Sequence, residues 1–235
     1  MGLGRTIRRI WRSVFRLPVP SDDKEGVKFS RFNFFAHLHP PLVKKEHLKL
    51  KHSWCMGGLT FLMFIVSCVS GLVLALYYTP VPEEAYNSIT DIENAVRFGS
   101  FWRGLHKYSS ELMLVTVFLH MLRVVLNRAY RAPREFNWVL GALLFFLVLF
   151  TMFTGYLLPY NVRSYDAVSV AQGMADNVPY ISGWLQRVLF GGERFGADTL
   201  LRFYVLHCCI LPLAMILLMA LHFWRVRKDG YKGGL

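Results

Sequence analysis

The stretch FWRGLHKYSSELMLVTVFLHMLRV, residues 101–124, is the most informative segment of this chain. It is largely apolar and exceeds the roughly 20 residues that a helix needs to cross about 30 Å of hydrocarbon. It also carries four charged side chains and two histidines, which are costly on a lipid-exposed face. A membrane helix with this sequence has to turn its polar side chains toward a bundle interior or a polar cofactor.

Three further segments contain no Asp, Glu, Lys or Arg, namely residues 53–82, 136–162 and 203–224. Each is also longer than the roughly 20 residues of a membrane-spanning helix. Together with residues 101–124 they predict an all-α polytopic membrane protein, a four-helix bundle. The predicted helices are about 54–78, 104–127, 136–158 and 199–225. We expect residues 161–198 to form one or two short helices on the outer surface.

Basic residues are distributed unevenly along the chain. Of the 27 Lys and Arg residues, twelve precede residue 53, four lie within 123–134 and four follow residue 224. Because basic residues accumulate in cytoplasmic segments, this distribution predicts that both termini are cytoplasmic. The expected location is a bacterial cytoplasmic membrane. No aromatic-interleaved basic pattern indicates nucleic-acid binding, so the net charge of +12 is interpreted as a topology signal.

We divide the chain into an N-terminal extension, residues 1–52, and the bundle domain, residues 53–235. In the extension, residues 3–17 place apolar side chains on one helix face with arginines around them, as in a helix lying on anionic lipid. A solvated basic arm explains this pattern equally well. The four cysteines lie in apolar segments without a CxxC spacing, which predicts neither a disulfide framework nor ordinary c-type haem attachment.

Two histidine pairs lie on the second and fourth predicted helices. His106 and His120 are fourteen residues apart, and His207 and His222 are fifteen apart. At 100° and 1.5 Å per residue, these intervals return to within about 40° and 60° of the starting direction and span about 21–22 Å. His106 and His207 are therefore expected to meet near the outer side, and His120 and His222 near the inner side. Two stacked pairs suit two low-spin haem irons, although a single intramembrane histidine is more often a hydrogen-bonded core residue.

Glycines repeat this interval on the first and third predicted helices. Gly57 and Gly71 are fourteen residues apart, as are Gly141 and Gly155. A glycine lets a flat macrocycle approach the helix backbone. Close helix packing is the usual alternative, but it normally uses a four-residue spacing. The shared interval favours clearance for haem.

Charged residues flank the histidines on the second predicted helix. Arg103 and Arg123 lie three residues outside the two histidines, so they are candidates to pair with haem propionates. Snorkelling or topology charge is the alternative for each. Glu111 could pair with Lys107 at i,i+4 or titrate during proton release, and of these we predict the ion pair.

These residues resemble cytochrome b of the quinol-oxidising cytochrome bc complexes, most closely the short split form called cytochrome b6. The resemblance covers nearly all of residues 54–235 and includes CMGGLTF, APREFNWVLG, FTGYLLP, TLLRFYVLHCCILPL and HFWRVRKDGYKGGL. It implies two haems b, the outer one bound by His106 and His207 and the inner one by His120 and His222. The sequence departs from the family after Pro159, where Tyr160 and Asn161 replace the usual residues, within the region of the outer quinone pocket.

The resemblance also implies a third, high-spin haem attached covalently to Cys55, with Arg227 near it. Composition alone would make Cys55 a small buried hydrophobe. A cysteine here matches the thioether-linked position of the split form. The prediction is therefore a covalent haem beside the inner haem b.

The implied function is that of the haem b subunit of a quinol-to-acceptor oxidoreductase, which is not active alone. The subunit would carry electrons between outer and inner quinone sites and contribute to proton translocation. Implied partners are a subunit IV-like protein with the remaining cytochrome b helices, a Rieske iron–sulfur protein and a c-type cytochrome or equivalent, in a dimeric complex surrounded by lipid. The main alternative is a di-haem membrane anchor of a hydrogenase or formate dehydrogenase, which requires neither the glycine pairs nor Cys55. A transporter would be expected to show broken helices and internal repeats, and neither is evident.

Overall fold

The computed structural model describes residues 55–192 and 195–229, together with residues 22 and 24. Within the described ranges every regular element is a helix, which confirms the predicted all-α class. The predicted N-terminal extension of residues 1–52, with its interfacial helix, lies outside the described residues except for residues 22 and 24.

The helices follow one another with short connections. In chain order they are α1 Met56–Ala75, α2 Pro82–Asn94, α3 Gly99–Leu126, α4 Glu135–Leu157, α5 Val162–Asp176, α6 Ser182–Leu185, α7 Ala197–Val205 and α8 Leu211–Asp229. Two five-residue π-helical turns occur in addition, at Gln186–Phe190 and Leu206–Ile210.

Four helical spans are long and apolar enough to cross a membrane. They are α1, α3, α4 and the continuous span Ala197–Asp229, which contains α7, a π-helical turn and α8. Their mean hydropathies lie between 1.6 and 2.3. The four predicted spans are therefore confirmed, although α3 begins at Gly99, ahead of the expected start near residue 104.

The spans expose large apolar side chains. Leu72 in α1, Phe146 in α4 and Leu217 in α8 are each more than half exposed. Contiguous apolar surface of this kind marks a protein or membrane contact in a folded chain. On four apolar spans it is the expected lipid-facing and subunit-facing surface.

Helix α2, between the first two spans, was not predicted. It begins after the extended residue Val81, with Pro82 in its first turn. Proline is suited to this place because its missing N–H would have no partner within the helix. Glu83 and Glu84 also lie in the first turn, where carboxylates interact favourably with the helix dipole.

Helices α5 and α6 form within residues 161–198, where short helices were predicted. The N-cap residue of helix α5 is Asn161, whose side-chain oxygen accepts a hydrogen bond from the backbone N–H of Ser164 at 3.0 Å. Asparagine is among the best residues for this N-cap role. One departure from the family pattern therefore has a local structural function.

The fourth span contains a π-helical turn at Leu206–Ile210, which ends two residues before Pro212. Here the N–H of Leu211 donates to the carbonyl oxygen of Leu206, five residues earlier. Pro212 has no N–H, and its ring crowds the carbonyl four residues before it, which disfavours a regular α-helical turn. The wider turn accommodates the proline within a continuous helix.

The chain forms two compact units. The larger one comprises Cys55–Arg123 and Val139–Met219, and the smaller one includes Val124–Trp138 and the chain from Ala220 onward. In the smaller unit, Arg225 forms an ion pair with Asp229 at 2.7 Å.

The core of the larger unit joins all four spans. One buried cluster consists of Phe64, Met113, Val117, Val148 and Met215. A second cluster packs the end of α4 against α5, a π-helical turn and α7, and consists of Leu157, Val168, Ala175, Phe190 and Phe203.

Hydroxyl groups add polar contacts between α1 and α3. Thr60 Oγ1 donates to Thr116 Oγ1 at 3.0 Å, and the hydroxyl oxygens of Ser67 and Ser109 are 2.7 Å apart. Such interhelical hydrogen bonds contribute to packing where lipid provides no hydrophobic drive between helices. These hydrogen bonds fix the position of α1 along α3.

Candidate functional site

The structure brings His106 and His207 together inside the larger unit. His106 lies on α3 and His207 lies in the π-helical turn Leu206–Ile210. Their ring centres are 6.0 Å apart, and the ring planes are inclined by 79°. These two histidines are the ones predicted to form the outer pair.

Helix α1 orients the His106 ring. Its Nδ1 lies 2.9 Å from the carbonyl oxygen of Ser67 and 3.2 Å from Oγ of Ser70. A carbonyl oxygen only accepts hydrogen bonds, so Nδ1 carries the ring proton and donates it. The other ring nitrogen, Nε2, is then unprotonated and has a lone pair with which to bind a metal.

Helix α4 orients the His207 ring in the same way. Its Nδ1 donates to the carbonyl oxygen of Thr151 at 2.9 Å and lies 3.3 Å from Oγ1 of Thr154. Both rings therefore have the tautomer of a metal-binding histidine, with Nδ1–H bonded to a protein acceptor.

The glycines of the outer level lie against these rings. A Cβ atom added to Gly71 would lie 3.0 Å from Cε1 of His106, which is at the limit of real contacts. A Cβ atom added to Gly155 would lie 2.9 Å from Nδ1 of His207 and closer still to Cε1. Glycine is thus needed for the approach of the imidazole itself, a contact that the spacing argument did not identify. Clearance for a macrocycle stays a prediction.

At the other level, Gly57 faces His120. A Cβ atom added to Gly57 would lie 3.2 Å from Cε1 of that ring. Gly141 is half-buried in α4. His222 is half-buried on α8 and belongs to the smaller unit, whereas His120 belongs to the larger one. The pairing of His120 with His222, and a haem contact of Gly141, stay predictions.

The three candidate arginines lie near helix ends. Arg103 is in α3 and forms an ion pair with Glu93 of α2, and both side chains are about two-fifths exposed. Arg123 lies in the last turn of α3, and Arg227 is half-buried in the last turn of α8. The predicted role of these arginines toward haem propionates stays a prediction.

The predicted ion pair between Lys107 and Glu111 is wrong. In the described part of the chain the ion pairs are Arg103–Glu93 and Arg225–Asp229. The ammonium of Lys107 instead lies 5.5 Å from the centre of the Tyr108 ring. An exposed i,i+4 pair contributes only about 0.2–0.5 kcal/mol, and a cation–π contact about 0.5–1 kcal/mol, so the aromatic neighbour can compete.

Cys55 stands at the start of α1 as its N-cap residue. Its backbone is left-handed, with φ 45° and ψ 26°, and its thiol side chain is exposed. Cys68 and Cys208 are partly buried, and Cys209 is exposed. The exposed position contradicts the interpretation of Cys55 as a small buried hydrophobe, and a covalent haem there stays a prediction.

The segment after α4 contains the departures from the family pattern. Tyr78 donates a hydrogen bond from its hydroxyl to the carbonyl oxygen of Leu158 at 2.6 Å. Burial raises the pKa of Tyr78, so the phenol remains a donor.

Tyr160 has a left-handed backbone, with φ 49°, and its ring centre lies 4.9 Å from that of Phe195. Burial makes the largest contribution to raising the pKa of Tyr160, and the nearby carboxylate of Glu83 raises it further.

Ser70 and Thr154 were missed by the sequence analysis. Each directly precedes an outer-level glycine and follows another hydroxyl residue by three positions, in SCVSG at 67–71 and TMFTG at 151–155. This repeated pattern on the first and third spans is the signal that could have found them.

Comparisons with known proteins identify the family of this chain. The family model Cytochrome b/b6/petB matches residues 43–230. Cytochrome b6 of Heliomicrobium gestii is 47% identical over 177 residues, which are 75% of this chain and 83% of that protein. The menaquinol:cytochrome c reductase cytochrome b subunit of Bacillus subtilis is 40% identical over 200 residues, which are 85% of this chain and 89% of that protein.

A solved structure is also similar. It is titled Hyperthermophilic respiratory Complex III, and the match has 30% sequence identity and a TM-score of 0.69. The match covers 76% of this chain and 48% of the other, so this chain spans about half the length of the solved one. The family model alone covers well over half of the sequence. The chain belongs to the cytochrome b/b6 family.

Proposed function

We propose that this chain is the haem b subunit of a quinol-oxidising complex of the bc type and that it carries electrons across the membrane. Family membership and four apolar spans support this function. The two relatives named above are a cytochrome b6 and a cytochrome b subunit of a menaquinol:cytochrome c reductase. They favour this function over a membrane anchor of a hydrogenase or formate dehydrogenase.

The geometry of His106 and His207 carries the proposal. An imidazole nitrogen binds a transition metal at about 2.0–2.1 Å and lies roughly 1 Å from its ring centre, so two imidazoles that held one iron would have centres no more than about 6 Å apart. The observed separation is 6.0 Å. Both Nδ1 atoms donate to backbone carbonyl oxygens, which leaves both Nε2 atoms for the iron. The residues present therefore fit a bis-histidine haem.

For the second haem we propose that His120 and His222 would hold the iron. The contact between Gly57 and His120 supports an equivalent arrangement, because Gly71, fourteen residues after Gly57, lies in the same way against His106, fourteen residues before His120. Arg103 and Arg123 are proposed to pair with propionates at the two membrane edges. When bound, each haem supplies a one-electron ferric–ferrous couple, and the chain holds the two couples at two depths.

The proposed substrate is a quinol oxidised at the outer side, with a quinone reduced at the inner side and proton release outside. The proposed partners are a subunit IV-like protein with further cytochrome b helices, a Rieske iron–sulfur protein and a c-type cytochrome or equivalent, in a dimeric complex. Support comes from the Bacillus subtilis relative, which is the cytochrome b subunit of a menaquinol:cytochrome c reductase.

The chain is an integral membrane protein, and we propose a bacterial cytoplasmic membrane with both termini in the cytoplasm. The uneven distribution of Lys and Arg supports this orientation. The positive charges of residues 123–134 and of the segment after residue 224 would then lie on the same side as the N-terminal extension.

Redox titration of the purified complex tests the proposed function. We expect two low-spin b haems per chain, with separate midpoint potentials in reduced-minus-oxidised spectra and a matching pyridine haemochrome content. Addition of a quinol should reduce them. A complex with one b haem, or with no low-spin signal, would contradict the proposal.

We further propose that Cys55 carries a third haem through a thioether bond. Addition of the thiol S–H across a haem vinyl group forms the C–S bond and places the proton on the neighbouring carbon, so no oxidant is needed. The exposed thiol at the start of α1 supports access to a macrocycle edge. Arg227 is the proposed partner of a propionate of this haem.

The Cys55→Ala variant tests this third haem. Denaturing electrophoresis of the wild-type complex should show peroxidase-active haem on this chain, and the variant should lose that staining while both b haems remain. Cys68→Ala, a change on the same helix, is the matched control and should keep the staining. A wild-type chain whose mass shows no added haem would contradict the proposal.

A further inference from the structure

We propose that the hydroxyl groups of Ser70 and Thr154 lower the reduction potential of the haem held by His106 and His207. This inference rests on the proposed bis-histidine binding. Within SCVSG and TMFTG, the first residue presents its backbone carbonyl to the histidine ring and the fourth presents its hydroxyl. The fifth residue is the glycine that lies against the same ring. Two different helices thus provide the same three contacts.

Both hydroxyl groups are completely buried. Ser70 and Thr154 are each 0% exposed. Their oxygens lie 3.2 Å from Nδ1 of His106 and 3.3 Å from Nδ1 of His207, respectively. Because water does not reach either oxygen, each contact acts in a medium of low dielectric constant, where hydrogen bonds are electrostatically stronger.

The hydroxyl protons are directed away from the histidines. Ser70 donates to the carbonyl oxygen of Val66 at 2.7 Å, and Thr154 donates to that of Thr151 at 2.9 Å. With its proton engaged, each hydroxyl oxygen is left to accept from the histidine. Each Nδ1–H is therefore shared between a carbonyl oxygen and a hydroxyl oxygen.

An acceptor at Nδ1–H increases the electron donation of Nε2 to a bound metal. Stronger donation stabilises ferric iron more than ferrous iron, because the ferric ion has the higher charge. Both axial ligands of this site receive the same additional acceptor, so their effects have the same sign. The expected result is a lower reduction potential for this haem.

The other histidine level lacks this feature in its sequence. Met56 precedes Gly57, and Leu140 precedes Gly141, so an apolar side chain stands where Ser70 and Thr154 stand at the outer level. The hydroxyl groups therefore act on one haem of the two. They shift the potential of the haem at His106 and His207 downward, which is the direction that favours electron transfer from it to the haem at His120 and His222.

The test is a redox titration of assembled complexes that carry Ser70→Ala or Thr154→Val. Each variant should shift the reduction equilibrium of the outer haem toward the ferrous form by about three- to tenfold, which is the size expected for one hydrogen bond. At 59 mV per tenfold, this is a rise of about 30–59 mV for a one-electron couple. The inner haem should keep its potential, and Thr154→Ser, which retains the hydroxyl group, should resemble the wild type.

Thr60→Val is the matched control. It removes a hydroxyl group that bonds to the Met56 carbonyl and to Thr116 between the same helices α1 and α3. It should leave the outer potential unchanged. An equal shift in this control, or unchanged potentials in both Ser70→Ala and Thr154→Val, would overturn the proposal.

If the complexes with Ser70→Ala and Thr154→Val do not assemble, the Met56→Ser variant tests the proposal. It places a hydroxyl group before Gly57 and should lower the potential of the inner haem, while an unchanged inner potential would count against the proposal. These outcomes are distinct from failure of bis-histidine binding, since that failure would remove the low-spin b-haem signal from the wild-type complex itself.

Discussion

Replacing His207 with alanine should remove the outer haem and leave the inner haem in place. The imidazole of His207 stands 6.0 Å from that of His106, centre to centre, and no methyl group can replace an axial nitrogen. We expect the b-haem content to fall from two to one per chain and the lower-potential step to disappear from the titration. Quinol-dependent reduction of the inner haem through this route should be lost with it.

His222→Ala is the reciprocal variant and should remove the inner haem alone. Optical spectra and pyridine haemochrome content of the purified variants measure both outcomes. Loss of both haems in each variant, with the complex still assembled, would show that the four histidines do not form two independent pairs. Retention of both haems in either variant would contradict the ligand assignment.

Leucine at Gly71 or Gly155 should prevent haem insertion at the outer level. A Cβ atom at either position already reaches the closest distances found between atoms, against the ring of His106 or of His207. Three further carbon atoms have no space there unless the imidazole moves, and overpacking of this kind costs about 1–3 kcal/mol even where the surroundings adjust. The outer haem should be absent from the spectra of both variants.

Alanine variants should give a graded effect. The built Cβ atom is nearest to its histidine at Gly155, less near at Gly71, where it is 3.0 Å away, and least near at Gly57, where it is 3.2 Å away. Haem loss or a spectral shift should follow this order. Gly58→Leu, next to Gly57 on α1, is the matched control because a Cβ atom there meets nothing within 4 Å. Full haem content in Gly71→Leu and Gly155→Leu would show that the glycine interval has no role in binding.

The sequence predicted the four spans because lipid imposes a simple rule on them. Long stretches without charge define α1, α4 and Ala197–Asp229. The interrupted span α3 followed from its length, because a helix of this kind tolerates charged side chains that face a bundle interior or a polar cofactor. The fourteen- and fifteen-residue intervals between histidines predicted that His106 meets His207. The fourteen-residue interval between glycines predicted that these lie at the same depths as the histidines. The rise and the rotation per residue of an α-helix determine the depth and the direction of each of these residues.

Other features depend on contacts that periodicity does not encode. Helix α2 is polar overall, so it lacks the apolar pattern that revealed the spans, and its signals are Pro82 and the acidic first turn. The choice of Lys107 between Glu111 and Tyr108 depends on side-chain rotamers. The acceptors of His106 and His207 include backbone carbonyls of other helices, which carry no residue-specific signal.

The π-helical turn at Leu206–Ile210 explains why the two histidine intervals differ by one residue. One π-helical turn takes up one residue more than an α-helical turn. The fifteen-residue interval from His207 to His222 begins within such a turn, whereas the fourteen-residue interval from His106 to His120 lies within the α-helix α3. Counted in turns, the two intervals are the same length. The additional residue in the fourth span is therefore an insertion within a helix, and with it the two histidine intervals cover the same rise through the bundle.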